Sequence, residues 1–344
     1  MPPAANESAF FVLEHRHPFW ACGPPKCKMK SEKRKYKHYK VWLNGKVIPP
    51  EEANVSVFTQ TALRGANVYE GVRAYWSDPN ENLYVWKLTP HLARLFQSMK
   101  IMRMTPPFSR EELQEAVLDW IRQNAFREDI HFRVVSYFGD GGAGGVKAYR
   151  PDEIDFGSFI AGGPREHKED IENGLHLCVS SWRRISDDAT PPRVKAGANY
   201  QNSRLAAIEA RENGYDDAII LNQAGKVAEA TGANVIIIRE GVAVTPPVTE
   251  GILEGITRRT LLGMLHSHLK RSIVERPIDR TELYIADEIF LCGSAMEVTS
   301  VISVDRIPVG DGKPGPITSQ LQGVFFNAAR GFDEAFQEDL LAVY

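Results

Sequence analysis

Lys195 sits between Val194 and the run Ala196-Gly197-Ala198, so its amine emerges from residues too small to keep backbone or a flat ligand at a distance. Crowding of that kind excludes water, and a desolvated lysine loses part of its preference for the charged form. The neutral amine condenses with a carbonyl to give a Schiff base, which is covalent catalysis. Residues 200–213 carry Leu205, Ile208 and several alanines at helical spacing and end at Gly214, the residue expected at C′. Tyr200 therefore stands at a helix start. An apolar strand at 218–221, a turn at 222–225 and a second strand at 226–229 follow, and Glu229 leads into a Thr231-Gly232 bend. Lysine, tyrosine and carboxylate can converge. Taken singly, each has an ordinary alternative: a solvated lysine, a core aromatic at a helix start, a carboxylate at a strand end.

Five segments in order, VKAGANY (194–200), GYDDAIIL (214–221), GKVAEATGAN (225–234), LEGITRRTLL (253–262) and ADEIFLCGSA (286–295), resemble the fold-type-IV (class IV) pyridoxal-phosphate-dependent aminotransferases, most closely those for branched-chain amino acids. The resemblance runs from about residue 39 to near 330. It implies an α/β (α+β two-domain) fold, with a smaller N-terminal sheet-plus-helices domain and a larger C-terminal β-rich domain with flanking helices. It implies pyridoxal 5′-phosphate held as a Schiff base on Lys195, which would also move the proton between substrate Cα and cofactor. Glu229 would pair with the pyridine nitrogen and Tyr200 would hydrogen-bond the ring oxygen. Arg94, Ile256, Thr257 and Ser294 would hold the phosphate. The substrate would meet Arg64, Tyr69, Gly71, His131, Arg133 and the backbone near Ala295. Two positions depart from the family pattern: Arg64 replaces a tyrosine before the EG strand, and His131 replaces an aromatic near the substrate carboxylate. Two added basic groups could favour a substrate with a second acidic group, or Arg64 could replace the lost tyrosine hydrogen bond. The resemblance also implies a homodimer in which a neighbouring chain contributes to the pocket.

The elements that must position these groups are legible from pattern. Asn44-Gly45 within YKVWLNGKVIP signals a hairpin. Residues 55–58 and 68–75 read as strands, the latter carrying Tyr69, Gly71 and Arg73. Thr89 is placed to cap, and Pro90 to open, a helix whose Leu92, Leu95, Met99 and Met102 form an apolar stripe, with Arg94 off it. A helix at 111–124 and a strand at 131–137 follow. Residues 175–180, 235–238, 242–245 and 287–292 read as strands, and Gly255-Ile256-Thr257 opens a helix whose N-terminus suits an anion. FGDGGAGG (138–145) lacks the Lys-Ser/Thr pair of a P-loop, because Ala148 follows Lys147, and reads as a mobile lid or connection.

The 344 residues, 43% hydrophobic and 25% charged, suit a soluble globular enzyme. We divide them into an N-terminal extension (1–38), a small domain (39–160), a linker (161–170) and a large cofactor-binding domain (171–344). A net charge of −3 and a pI near 6.3 argue against a general nucleic-acid or membrane binder. Four scattered cysteines favour a reducing compartment, with cytoplasm the default. Cys22 and Cys27 with His15 and His17 match no common zinc spacing, so no metal is expected. The overall expectation is a transaminase acting on a branched-chain or related amino acid and a 2-oxo acid. An (R)-amine or D-amino-acid transaminase is the alternative within the family, and a non-catalytic protein recruited through its lysine-rich arm the alternative outside it.

Overall fold

The computed structural model describes residues 38–140, 150, 153–165 and 170–344. The extension up to residue 37, with its cysteines, and most of the glycine-rich stretch lie outside the described residues. The strands are β1 (Val41–Leu43), β2 (Lys46–Ile48), β3 (Asn67–Ser77), β4 (Asn82–Trp86), β5 (Ile130–Phe138), β6 (Phe156–Pro164), β7 (Leu175–Arg183), β8 (Asp217–Leu221), β9 (Val227–Ala230), β10 (Asn234–Arg239), β11 (Val242–Thr245), β12 (Ile273–Glu275), β13 (Glu288–Gly293), β14 (Glu297–Val304), β15 (Ile307–Pro308) and β16 (Leu340–Ala342). The helices are α1 (Gln60–Arg64), α2 (Leu88–Ile101), α3 (Arg110–Asn124), α4 (Asp170–Asn173), α5 (Tyr200–Glu212), α6 (Ile256–Ser267) and α7 (Pro316–Ala329).

An antiparallel first sheet has the order β16-β4-β3-β5-β6-β1-β2, so the chain's last strand returns to the sheet built by its first. Asn44 and Gly45 both take positive φ, the backbone a two-residue hairpin turn of type I′ demands. α2 and α3 cover one face, burying Leu92, Leu95 and Trp120 against Val72, Phe132 and Val134. The other side of β3 and β4 sends Tyr75 and Trp86 into a cluster with Phe290, Leu321 and Phe325 from the second half of the chain. That two-sided cover is why β3 is buried nearly throughout rather than on alternate residues.

The second sheet runs β12-β11-β10-β13-β14-β7-β8-β9, and β9 pairs back onto β10 through Glu229 and Asn234. That pairing closes six of the strands into a barrel lined by residues such as Ile219, Val235, Leu291 and Val301. α5 packs on β7 and β8 through Ser203, Ala206 and Ala210, small residues that allow close approach, while Leu205 and Ile208 face outward and are partly exposed. Gly214 takes the left-handed conformation expected of it.

Three expectations need correction. Residues 55–58 are not a strand; they form an irregular approach to α1, with Val55, Val57 and Phe58 exposed. α2 begins at Leu88, a residue earlier than Thr89, with Lys87 as a left-handed N-cap. Thr89 therefore lies inside the helix rather than capping it. Residues 161–164 belong to β6, inside the stretch taken as linker.

Candidate active site

One cavity of about 240 Å³ gathers most of the predicted set. Tyr69, Gly71, Arg94, His131, Arg133, Lys195, Tyr200, Glu229, Ile256, Thr257, Ser294 and Ala295 all line it. Arg64 does not: it lies exposed on α1, where Nη1 donates to Gln60 Oε1 over 2.9 Å.

Lys195 is placed by backbone bonds to the edge of β3. Its carbonyl accepts from Tyr69 N–H (2.9 Å), and Gly197 N–H donates to Asn67 O (3.1 Å). A Cβ on Gly197 would lie 2.6 Å from Asn67 Oδ1, so glycine is what lets the lysine loop approach the strand. Lys195 Nζ donates to Tyr200 Oη over 2.6 Å and lies 5.0 Å from the centroids of both the Tyr69 and Tyr200 rings. Burial pushes the Tyr200 phenol up, but the Lys195 charge, with hydrogen bonds from Lys195 and Tyr69, outweighs it and brings the phenol below its usual range. Tyr69 moves the other way: burial and its neighbour Tyr200 hold it firmly protonated.

Glu229 is buried at the seam where the barrel closes. Its Oε1 lies 2.6 Å from Arg184 Nη2, and its Oε2 accepts from Asn234 Nδ2 (2.8 Å) and Leu253 N–H (3.0 Å). Burial raises its pKa, with Arg184 the largest opposing influence. Asn234 also donates to Leu253 O over 3.0 Å, tying the strand to the approach to α6.

Arg94 is buried, not exposed on its helix. Nε and Nη2 form a fork on Glu70 (2.8 and 2.7 Å), and Nη1 donates to Glu254 O (2.7 Å). A guanidinium has five N–H groups, so these bonds leave two for an oxyanion in the cavity. Burial works against the Glu70 carboxylate's charge, yet Arg94 and then His91 overcome that and hold it at about 2. His91 Nδ1 lies 2.7 Å from Glu70 Oε2, so Nδ1 carries the proton, and Nε2 faces Ser294 Oγ at 3.4 Å. The α6 N-terminus has Gly255 as N-cap and no side chain bonded to its first N–H groups. Those donors face the cavity at Ile256 and Thr257, where an anion is favoured.

His131 is held neutral. Burial first, then the positive charges of Arg165, Arg73, Arg133 and Lys195, lower it to about 3. Its ring therefore adds no second positive charge beside Arg133, and Arg64 is not among the residues of this chain that line the cavity.

The sequence matches the family described as amino-transferase class IV across residues 67–304. The chain belongs to the class IV aminotransferases. Among curated relatives of this aminotransferase, a probable branched-chain-amino-acid aminotransferase of Aquifex aeolicus is 41% identical over 88% of this chain and 96% of its own. The branched-chain-amino-acid aminotransferase of Escherichia coli K12 is 36% identical over 86% of this chain and 94% of its own. Among solved structures, the branched-chain aminotransferase of Thermoproteus uzoniensis with norvaline superposes with a TM-score of 0.84 at 39% identity, covering 89% of this chain and 99% of that one. The pyridoxal-phosphate form of the Thermobaculum terrenum enzyme gives 0.84 at 39% identity, covering 90% and 99%.

Pyridoxal 5′-phosphate is the cofactor of this aminotransferase, and the residues present fit it. One cavity offers a lysine amine, a buried carboxylate for a ring nitrogen, a phenol, and an oxyanion grip made of a helix N-terminus and the two remaining Arg94 protons. Sequence reasoning missed Glu70, His91, Arg184 and Asn234. Signals existed for two of them. Glu70 is a lone acid inside an apolar strand, and His91 lies three residues before Arg94 on the same helix face. Nothing local marks Arg184 or Asn234 as partners of Glu229.

Proposed function

We propose that the protein transfers the amino group of a branched-chain or closely related L-amino acid to a 2-oxo acid. The observation that carries this reading is the 2.6 Å contact of Lys195 Nζ with Tyr200 Oη inside a cavity that also holds Glu229 and Arg94. The branched side chain is favoured by the Tyr69 ring, by Gly71, which leaves room beside it, and by the names of the relatives.

When bound, pyridoxal phosphate supplies an aldehyde that captures amines and a ring that accepts the electrons released as the substrate Cα–H bond breaks. Lys195 would anchor it covalently, and its Nζ is the base that would move the proton from the substrate Cα to the cofactor. Tyr200 accepts from Nζ and so orients the amine. Glu229, whose charge Arg184 favours against its burial, would pair with the ring nitrogen. Arg94 and the Ile256 and Thr257 amides bind the phosphate, assisted by the Ser294 hydroxyl. Arg133 and the backbone at Ala295 orient the substrate carboxylate, with neutral His131 beside them.

We further read the protein as a cytoplasmic homodimer. Val57, Phe58 and Leu63 are each more than half exposed on the segment that carries Arg64, an apolar surface suited to a second copy. The division into a small and a large domain stands as part of this reading, supported by the two separate sheets. An amino-donor panel tests the function: leucine, isoleucine and valine should turn over faster than D-alanine or 1-phenylethylamine. Equal rates with the carboxylate-free amine would remove the roles of Arg133 and Ala295. Sedimentation of the purified protein tests the dimer.

A further inference from the structure

The turn that carries Ser294 and Ala295 into the cavity is held from outside it. Met296 N–H closes the turn onto Gly293 O (3.1 Å), and the next residue, Glu297, takes a left-handed φ of 54° while being 1% exposed. Glycine is the ordinary occupant of such backbone. The glutamate instead sends its carboxylate across to β3 of the other sheet, where Oε1 accepts from Tyr75 Oη (2.8 Å) and lies 3.1 Å from Arg73 Nε. Arg73 Nη2 donates to Arg165 O (3.1 Å), and Arg165 Nη2 reaches Ala295 O at 3.5 Å, so the turn is gripped from two directions. The Arg73 and Arg330 guanidiniums each lie 5.4 Å from the centre of the Tyr75 ring. Neither Tyr75, Arg73 nor Glu297 lines the cavity.

We propose that Tyr75, Arg73 and Glu297 are positioning residues that set the Ser294-Ala295 turn at the place where it meets the substrate carboxylate. This rests on the reading of Ala295 as a carboxylate contact given above. A strained residue with a buried charge persists only where its surroundings hold it, and here the holding groups come from the opposite sheet. Loosening them shifts the turn without touching cofactor or substrate.

The test is the binding of 4-methylvalerate, a branched carboxylate without an amino group, to the holoenzyme, followed by its effect on the visible absorbance of the bound cofactor. Tyr75→Phe keeps the ring and removes only the hydroxyl; it should weaken 4-methylvalerate by about tenfold and raise KM for leucine more than it lowers kcat. Glu297→Gln should do the same more strongly. Should the glutamine variant not fold, the phenylalanine variant carries the test alone. Wild-type affinity for 4-methylvalerate in a folded Tyr75→Phe holoenzyme would overturn the proposal, whatever its melting temperature. A wild-type holoenzyme that ignores 4-methylvalerate at millimolar concentration would remove the carboxylate reading itself and this proposal with it.

Discussion

Arg184 Nη2 lies 2.6 Å from Glu229 Oε1, and both side chains are buried. Burial raises the Glu229 pKa and Arg184 opposes that rise, so the carboxylate's charge depends on its partner. Arg184→Gln leaves the carboxyl in place without its counter-charge, and Glu229 must then hold its proton to higher pH. In the role proposed for Glu229 the ionised form serves the ring nitrogen, so activity should rise as Glu229 loses its proton. The acid limb of the kcat profile should therefore move up by about one to two pH units, with turnover near neutrality down by at least about tenfold. Arg184→Lys should recover part of the loss. A wild-type pH profile in the glutamine variant would show that Arg184 has no bearing on Glu229.

Glu70 ties Arg94 and His91 together, and its carboxyl is held at about 2 against an ordinary 4.5. A depressed folded-state pKa means stability that is complete above pH 4.5 and is lost as pH falls toward 2. The size is on the order of 3 kcal/mol, at about 1.4 kcal/mol per unit. Glu70→Gln should flatten the acid decline in unfolding free energy across that window. It should also lower stability at pH 7, because Arg94 is left buried with less compensation. Denaturant titrations at several pH values measure both.

Gly255 is the N-cap of α6, and a Cβ there would sit 1.9 Å from Asn234 Oδ1. Gly255→Ala must displace Asn234, which otherwise donates to Glu229 Oε2. One methyl should thus disturb both the phosphate end and the ring-nitrogen end of the site. We expect a loss of stability of about 1–3 kcal/mol and a cofactor dissociation constant raised by about tenfold or more. Gly263→Ala, in the interior of α6 where nothing lies within 4 Å of the added methyl, is the matched control; it should leave the cofactor dissociation constant unchanged and raise stability by up to about 1 kcal/mol.

How much of this was legible beforehand depended on the range of the signal. The Asn44-Gly45 hairpin, the α5 start at Tyr200 and the α6 start at Ile256 were read from a few adjacent residues, and the structure has them there. Local chemistry misled at 55–58, where β-branched and aromatic residues are exposed beside α1 rather than paired in a sheet. It misled again at Thr89-Pro90, where Lys87 accepts a left-handed N-cap and the helix starts earlier. Leu205 and Ile208 fell at helical spacing, but the barrel admits only the smaller face of α5. Most of the residues named through motifs line one cavity, whereas the side chains that hold them were not named. Arg184 reaches Glu229 across 45 positions and Tyr75 reaches Glu297 across 222, and no window of sequence holds both members of either pair.

The central claim is that Lys195 alone anchors the cofactor. Borohydride reduction of the holoenzyme followed by peptide mapping addresses it most directly. The account predicts one pyridoxyl adduct, on Lys195, and its disappearance together with the visible band in Lys195→Ala. An adduct on any other lysine, or undiminished labelling of the alanine variant, would contradict it.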